Sequence, residues 1–182
     1  MIYLIICLTS FLVSTLTLFS GFGLGTLLLP TFSIFFSIEV AVAGTAMVHL
    51  ANNIFKFFLV GRKADLTTTL KFTIPAAITA ALGAWLLSQM GRLQSIATYN
   101  LFSHEFQIEP IKMTIGVLIA GFSLFEFIPS LQKINVPAKY IPVGGAISGF
   151  FGGLSGLQGA LRSMFLLRAN LSKDQFVGTT VA

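Results

Sequence analysis

Polar side chains are scarce in this chain, and two groups of them sit inside apolar sequence. The first is Thr45, His49, Asn52, Asn53 and Lys56, spaced i, i+4, i+7, i+8 and i+11. That spacing places all five on one face of a helix. Polar groups at membrane depth are costly and turn toward a cavity or a partner helix. Two readings stay open here. The face lines a cavity and donates hydrogen bonds to an anion, or it bonds to neighbouring helices while Lys56 reaches the cytoplasmic interface. The second group is Ser155, Gln158, Arg162 and Ser163, set around Gly156 and Gly159. Arg162 ends a long uncharged run, where a guanidinium needs an anion, a carboxylate or the interface. Its planar fork suits a tetrahedral or pyramidal oxyanion. The other reading of Arg162 is a cap on carbonyls freed by a helix break.

Glycines accompany both groups. Gly21, Gly23 and Gly25 crowd into five positions, and residues 152–159 are similarly rich. Glycine costs about 1 kcal/mol against alanine in a helix interior, so each cluster predicts a broken helix. A break at membrane depth exposes backbone N–H groups, which are ready anion ligands. Close packing of helices through small residues is the alternative. Ala76, Ala80 and Ala84 read as such a packing stripe, as do Gly116 and Ala120. Cys7 reads as a small buried apolar residue. Glu126, three residues before Pro129, is expected near an interface.

The elements that must position these residues are membrane helices. Of 182 residues, 55% are hydrophobic and 9% charged, against about 25% charged in soluble domains. A small soluble fold has a large surface to cover with polar groups. A water-soluble globular fold is therefore almost excluded, and so are disorder and a disulfide scaffold. The formal charge of +5 is spread along the chain without a basic cluster, so no nucleic-acid partner is expected. No Walker, HExxH or CxxC motif occurs, and no supported Ser-His-Asp arrangement. The chain is expected not to be an enzyme, with no catalytic residues, no metal site and no cofactor.

The predicted fold class is all-α, a polytopic transmembrane bundle with two inverted repeats and glycine-broken, re-entrant helices. Residues 1–130 form the first repeat: a glycine-broken hairpin over 1–36, then helices over 38–60, 70–90 and 111–130. Residues 131–182 begin the second, with a glycine-broken segment over 139–168 and a truncated helix over 172–182. Period-2 alternation is absent from the apolar segments, which argues against an outer-membrane barrel. Met1 is followed by Ile2-Tyr3-Leu4 without a positive n-region, so no cleaved signal peptide is expected. The repeat is visible in register. Gly25 aligns with Gly159, Leu27 with Leu161, and Gly44-Thr45 with Gly178-Thr179. The last apolar helix stops after about two turns, short of the ~20 residues a span needs. A chain that is a fragment of a longer protein is the expectation.

Loop cations choose a topology. If residues 1–36 start and finish on the same side, then Arg62, Lys63, Lys71, Lys133, Lys139, Arg168 and Lys173 share one side. Only Arg92 and Lys112 lie opposite. The positive-inside rule prefers this arrangement to a single crossing, which splits the cations almost evenly. It places the N-terminus outside.

The stretch Gly44-Thr45-Ala46-Met47-Val48-His49-Leu50-Ala51-Asn52-Asn53-Ile54-Phe55-Lys56, followed by Gly61-Arg62-Lys63-Ala64-Asp65, resembles the second segment of the sulfite exporter TauE/SafE family. Ser148-Gly149-Phe150-Phe151-Gly152-Gly153-Leu154-Ser155-Gly156, then Gln158-Gly159-Ala160-Leu161-Arg162-Ser163, resembles the glycine-rich start of that family's second half. The resemblance implies a multi-pass protein of a bacterial or archaeal inner membrane. It implies transport of small inorganic or organosulfur anions, sulfite and organosulfonates among them. Similar members often carry histidine where this chain has Leu157. The expected substrate-binding residues are Gly21, Gly23, Gly25, Thr45, His49, Asn52, Asn53, Ser155, Gln158, Gly159, Arg162 and Ser163. The expected partners are that anion and the lipid bilayer, with a homodimer left open. The rival readings are a non-transporting fragment or scaffold, and an anion channel.

Overall fold

The computed structural model describes residues 2–20, 23–102, 104–128, 137–167 and 169–182. It is mostly helical: α1 (Ile2–Ser20), α2 (Leu24–Ser33), α3 (Ile38–Val60), α4 (Leu66–Met90), α5 (Pro110–Phe127), α6 (Ile141–Ser155), α7 (Gly159–Leu166) and α8 (Lys173–Val181). One antiparallel hairpin, β1 (Ala97–Leu101) and β2 (His104–Ile108), joins α4 to α5. The sequence reading placed no strand in that loop. Gly21, Lys133 and Arg168 lie outside the described residues.

Among the described residues, three helices are long and apolar enough to cross a membrane: α3 with its following turn, α4 and α5. Their outward faces carry large apolar side chains, such as Met47, Leu50 and Phe58 on α3 and Ile74, Ile78 and Trp85 on α4. Water would penalise such faces, whereas hydrocarbon matches them. Cys7 belongs to this outer surface. It is exposed on α1 beside Leu4 and Leu8 rather than buried.

The helix starts follow from local chemistry. Asp65 caps α4 by accepting the Thr68 N–H at 2.7 Å. This cap starts the helix at Leu66, ahead of residue 70, where hydropathy alone rises. Ser172 and Gln175 form a reciprocal capping box on α8. Ser37 sits at the N-cap of α3 without a side-chain cap bond.

The core centres on α2. Leu24, Leu28, Leu29 and Phe32 are buried at helical spacing against Ile38, Ala41 and Val42 of α3, Ile111 and Ile115 of α5, and Leu154. Gly44 gives Phe32 room, since a Cβ there would lie 3.0 Å from the ring.

The closest helix pair is α4 with α6. A Cβ on Gly145, Gly149 or Gly153 would overlap the backbone of Phe72, Ala76 or Ala80, and one on Gly83 would overlap Phe150. Small residues thus face small residues over successive turns, the geometry that lets helices meet at backbone distance. Thr79 adds an interhelical bond, donating to the Ala146 carbonyl at 2.6 Å. The stripe of Ala76 and Ala80 is therefore a packing surface. Gly116 corrects the matching expectation for α5: no described residue lies within 4 Å of its Cβ position.

Helix α8 docks in the same manner. A Cβ on Gly178 would crowd the Ala64 nitrogen at 2.7 Å and the Val60 carbonyl at 2.9 Å. Thr179 accepts the Asp65 N–H at 2.9 Å. The ion pair of Lys63 with Asp174, 2.6 Å long, is exposed on both sides and adds little.

Candidate anion site

Both glycine clusters contain a helix break. Gly23 has φ 93° at the N-cap of α2, and Gly156 has φ 73° at the C-cap of α6. Left-handed backbone costs an L side chain about 1–2 kcal/mol, which glycine avoids. The two breaks meet. A Cβ on Gly25 would stand 2.7 Å from the Gly156 carbonyl oxygen and 3.2 Å from Leu157 Cδ2.

Beside this crossing lies a cavity of about 20 Å³. It is lined by Gly23 to Thr26, by Gly156 to Ala160, by Arg162, and by His49, Asn52, Asn53 and Lys56 of α3. Thr17, Phe122 and Glu126 complete it. The volume accommodates about one water. Asn53, Gln158 and Arg162 also line a groove of about 660 Å³ between α3, α4 and α6. These three side chains thus stand between a tight chamber and a wide one.

The first turns of α2 and α7 both border the cavity. Their intrahelical ladders begin at Leu27 N–H to Gly23 and Arg162 N–H to Gln158. The N–H groups of the residues between have no partner within their own helix. Two helix N-termini, each with positive partial charge, therefore converge on one small space. Lys56 and Arg162 bring two basic side chains to the wall, and Glu126 an acidic one. Such a setting favours an anion that supplies several acceptor oxygens at once.

Hydrogen bonding sharpens this. Lys56 donates to the Thr17 carbonyl at 3.2 Å, and Thr26 donates to Glu126 Oε2 at 3.1 Å. Arg162 Nε and His49 Nε2 are buried without a hydrogen-bond partner among the described residues, as is the Thr45 hydroxyl. A buried polar group left unpaired costs about 1–3 kcal/mol, so each needs an explanation such as a water or an ion. Two of the three belong to residues lining the cavity.

Of the expected residues, Gly23, Gly25, His49, Asn52, Asn53, Gln158, Gly159 and Arg162 line the cavity. Gly21 lies outside the described residues. Thr45, Ser155 and Ser163 are not part of the wall. Thr45 is buried against Gly156, with Cγ2 3.6 Å from that residue's Cβ position. Ser155 donates back to the Phe151 carbonyl at 2.8 Å, a bond within α6. Ser163 lies on α7 beyond the lining residues. Lys56 also lines the cavity.

Thr17, Thr26, Phe122 and Glu126 are additions from the fold. Among the described residues, Glu126 is the one acidic side chain of the cavity wall. Its signal in the sequence was that no other charge lies between Lys112 and Lys133. Thr26 adjoins the glycine cluster, whereas nothing separates Thr17 from the other threonines of α1.

No curated protein and no solved structure matches the chain significantly. The sequence model described as sulfite exporter TauE/SafE matches residues 6–182. The chain belongs to the sulfite exporter TauE/SafE family, a family of membrane transporters.

Proposed function

We propose that the chain acts in transmembrane movement of small sulfur-containing oxyanions, and that the anion binds where the two helix breaks cross. The observation that carries this reading is the conjunction at one cavity. Two helix N-termini, Lys56 and a buried, unpartnered Arg162 Nε border the same small space. Sulfite, thiosulfate and sulfonate groups offer the several acceptor oxygens that such a set of donors can use.

The chamber is too small for such an anion as it stands, so binding requires the walls to part. Asn53, Gln158 and Arg162, shared with the wide groove, are the side chains that would follow the anion between the two spaces. Relative movement of the α1–α3 and α6–α8 units gives alternating access in this account. Leu24 to Gly159 and Ile38 to Lys173 are equal separations along the chain, which supports treating the units as repeats. The loop cations support their inversion.

The expected outcome is saturable flux of radiolabelled thiosulfate into proteoliposomes holding the chain, above that of protein-free vesicles. Flux equal to the protein-free background would refute transport by this chain. The topology has its own check. In right-side-out cells, a cysteine at position 63 should resist a membrane-impermeant thiol reagent until the cells are opened. Labelling from outside would remove the inverted arrangement.

A further inference from the structure

The hairpin between α4 and α5 is amphipathic. Its register pairs Ala97 with Ile108, Tyr99 with Phe106 and Leu101 with His104. Cross-strand partners share a face and successive residues alternate, so these six occupy one side. Thr98, Asn100, Glu105 and Gln107 occupy the other. One face is thus apolar and aromatic except for His104 at its end, and the other is wholly polar.

Nothing among the described residues covers the apolar face. Tyr99, Leu101 and Phe106 are 48%, 49% and 43% exposed, although the two rings stack at 5.5 Å. Phe102, at the turn, is 89% exposed and holds φ 50°. That is a conformation glycine or asparagine adopts with less strain. A two-stranded hairpin is marginal in water unless something covers its apolar side.

The place of the hairpin in the chain identifies the cover. It joins the end of one membrane-length helix to the start of another, Met90 to Pro110. The hairpin is therefore tethered at both ends to helices whose exposed side chains are largely apolar, such as Trp85 on α4 and Met113 and Val117 on α5. Tyrosine and similar amphipathic rings favour the headgroup level. We infer that the hairpin lies flat in the membrane interface, its Tyr99–Phe106 face and Phe102 in the lipid and its polar face in water. The charges around it are mixed: Arg92 and Lys112, the latter paired with Glu109 at 2.7 Å, flank its base, and Glu105 lies next to its turn. The binding is accordingly apolar and independent of anionic lipid.

The test uses Phe102→Trp in a Trp85→Phe background, with the chain reconstituted in phosphatidylcholine vesicles. The expected emission is blue-shifted and resistant to aqueous iodide. It is quenched more by lipids spin-labelled near the headgroup than by those labelled deep in the tail. Adding phosphatidylglycerol should leave the quenching unchanged. Introducing Tyr99→Glu and Phe106→Glu should abolish the shallow quenching while helical content is retained. An emission typical of water with strong iodide quenching would overturn the proposal. A blue shift without lipid quenching would also overturn it, by assigning the face to another protein surface or a second copy.

Discussion

Arg162→Met is expected to weaken thiosulfate binding by roughly 10- to 150-fold while leaving the anion-free protein as stable as before, or more so. The first half follows from losing a charge-assisted contact worth about 1.5–3 kcal/mol. The second half follows from Arg162 Nε, which is buried without a partner. Without an anion that group is a cost, and methionine removes it while keeping the length of the stem. Thermal unfolding of the reconstituted chain, with and without thiosulfate, reads both halves. Native protein should gain stability on adding the anion, by mass action, and the variant should not. Arg162→Lys keeps the charge and loses the fork, so its affinity should fall between the two. If Arg162 only caps carbonyls released at the Gly156 break, Arg162→Met would destabilise the anion-free protein and leave any anion response intact.

Gly25→Ala carries the second large effect. The added methyl would meet the Gly156 carbonyl oxygen at 2.7 Å, and backbone cannot swing aside as a side chain can. Overpacking of this kind costs about 1–3 kcal/mol, here applied where the two breaks touch. Anion binding should be lost even where the protein still folds, because the α2 and α7 termini no longer converge. Gly116→Ala is the matched control. No described residue lies within 4 Å of its Cβ position, so helix propensity should raise stability by up to about 1 kcal/mol. Equal affinities for native protein and Gly25→Ala, measured by equilibrium dialysis, would dissociate the crossing from the site.

The contrast between these two glycines shows where sequence reasoning stops. A missing Cβ serves a helix break, a close approach or neither, and all three look alike in one sequence. Within residues 145–156 the structure separates them. Gly156 is a break with positive φ, whereas Gly145, Gly149 and Gly153 close against α4. Periodicity served better on α3, where polar residues at helical spacing stand out from apolar surroundings. His49, Asn52, Asn53 and Lys56 share a wall there for that reason. Thr45 has the same phase but lies a turn nearer the start of the helix, where Gly156 packs against it.

Glu126 and Thr26 were obscure because their roles depend on partners a hundred residues apart. The hairpin is obscure in the sequence because each strand is only five residues long and its pairing depends on the other. In each case the deciding contact is tertiary, and local patterns do not encode it.

The central claim is that an oxyanion sits at the crossing of the two breaks, within reach of Arg162. Selenite is a pyramidal oxyanion like sulfite and scatters X-rays anomalously. Crystals of the chain grown with selenite would locate it directly. The account predicts an anomalous peak in the cavity between Gly25, Gly159 and Arg162, absent from Arg162→Met. A peak elsewhere with this cavity empty, or an undiminished peak in Arg162→Met, would contradict it.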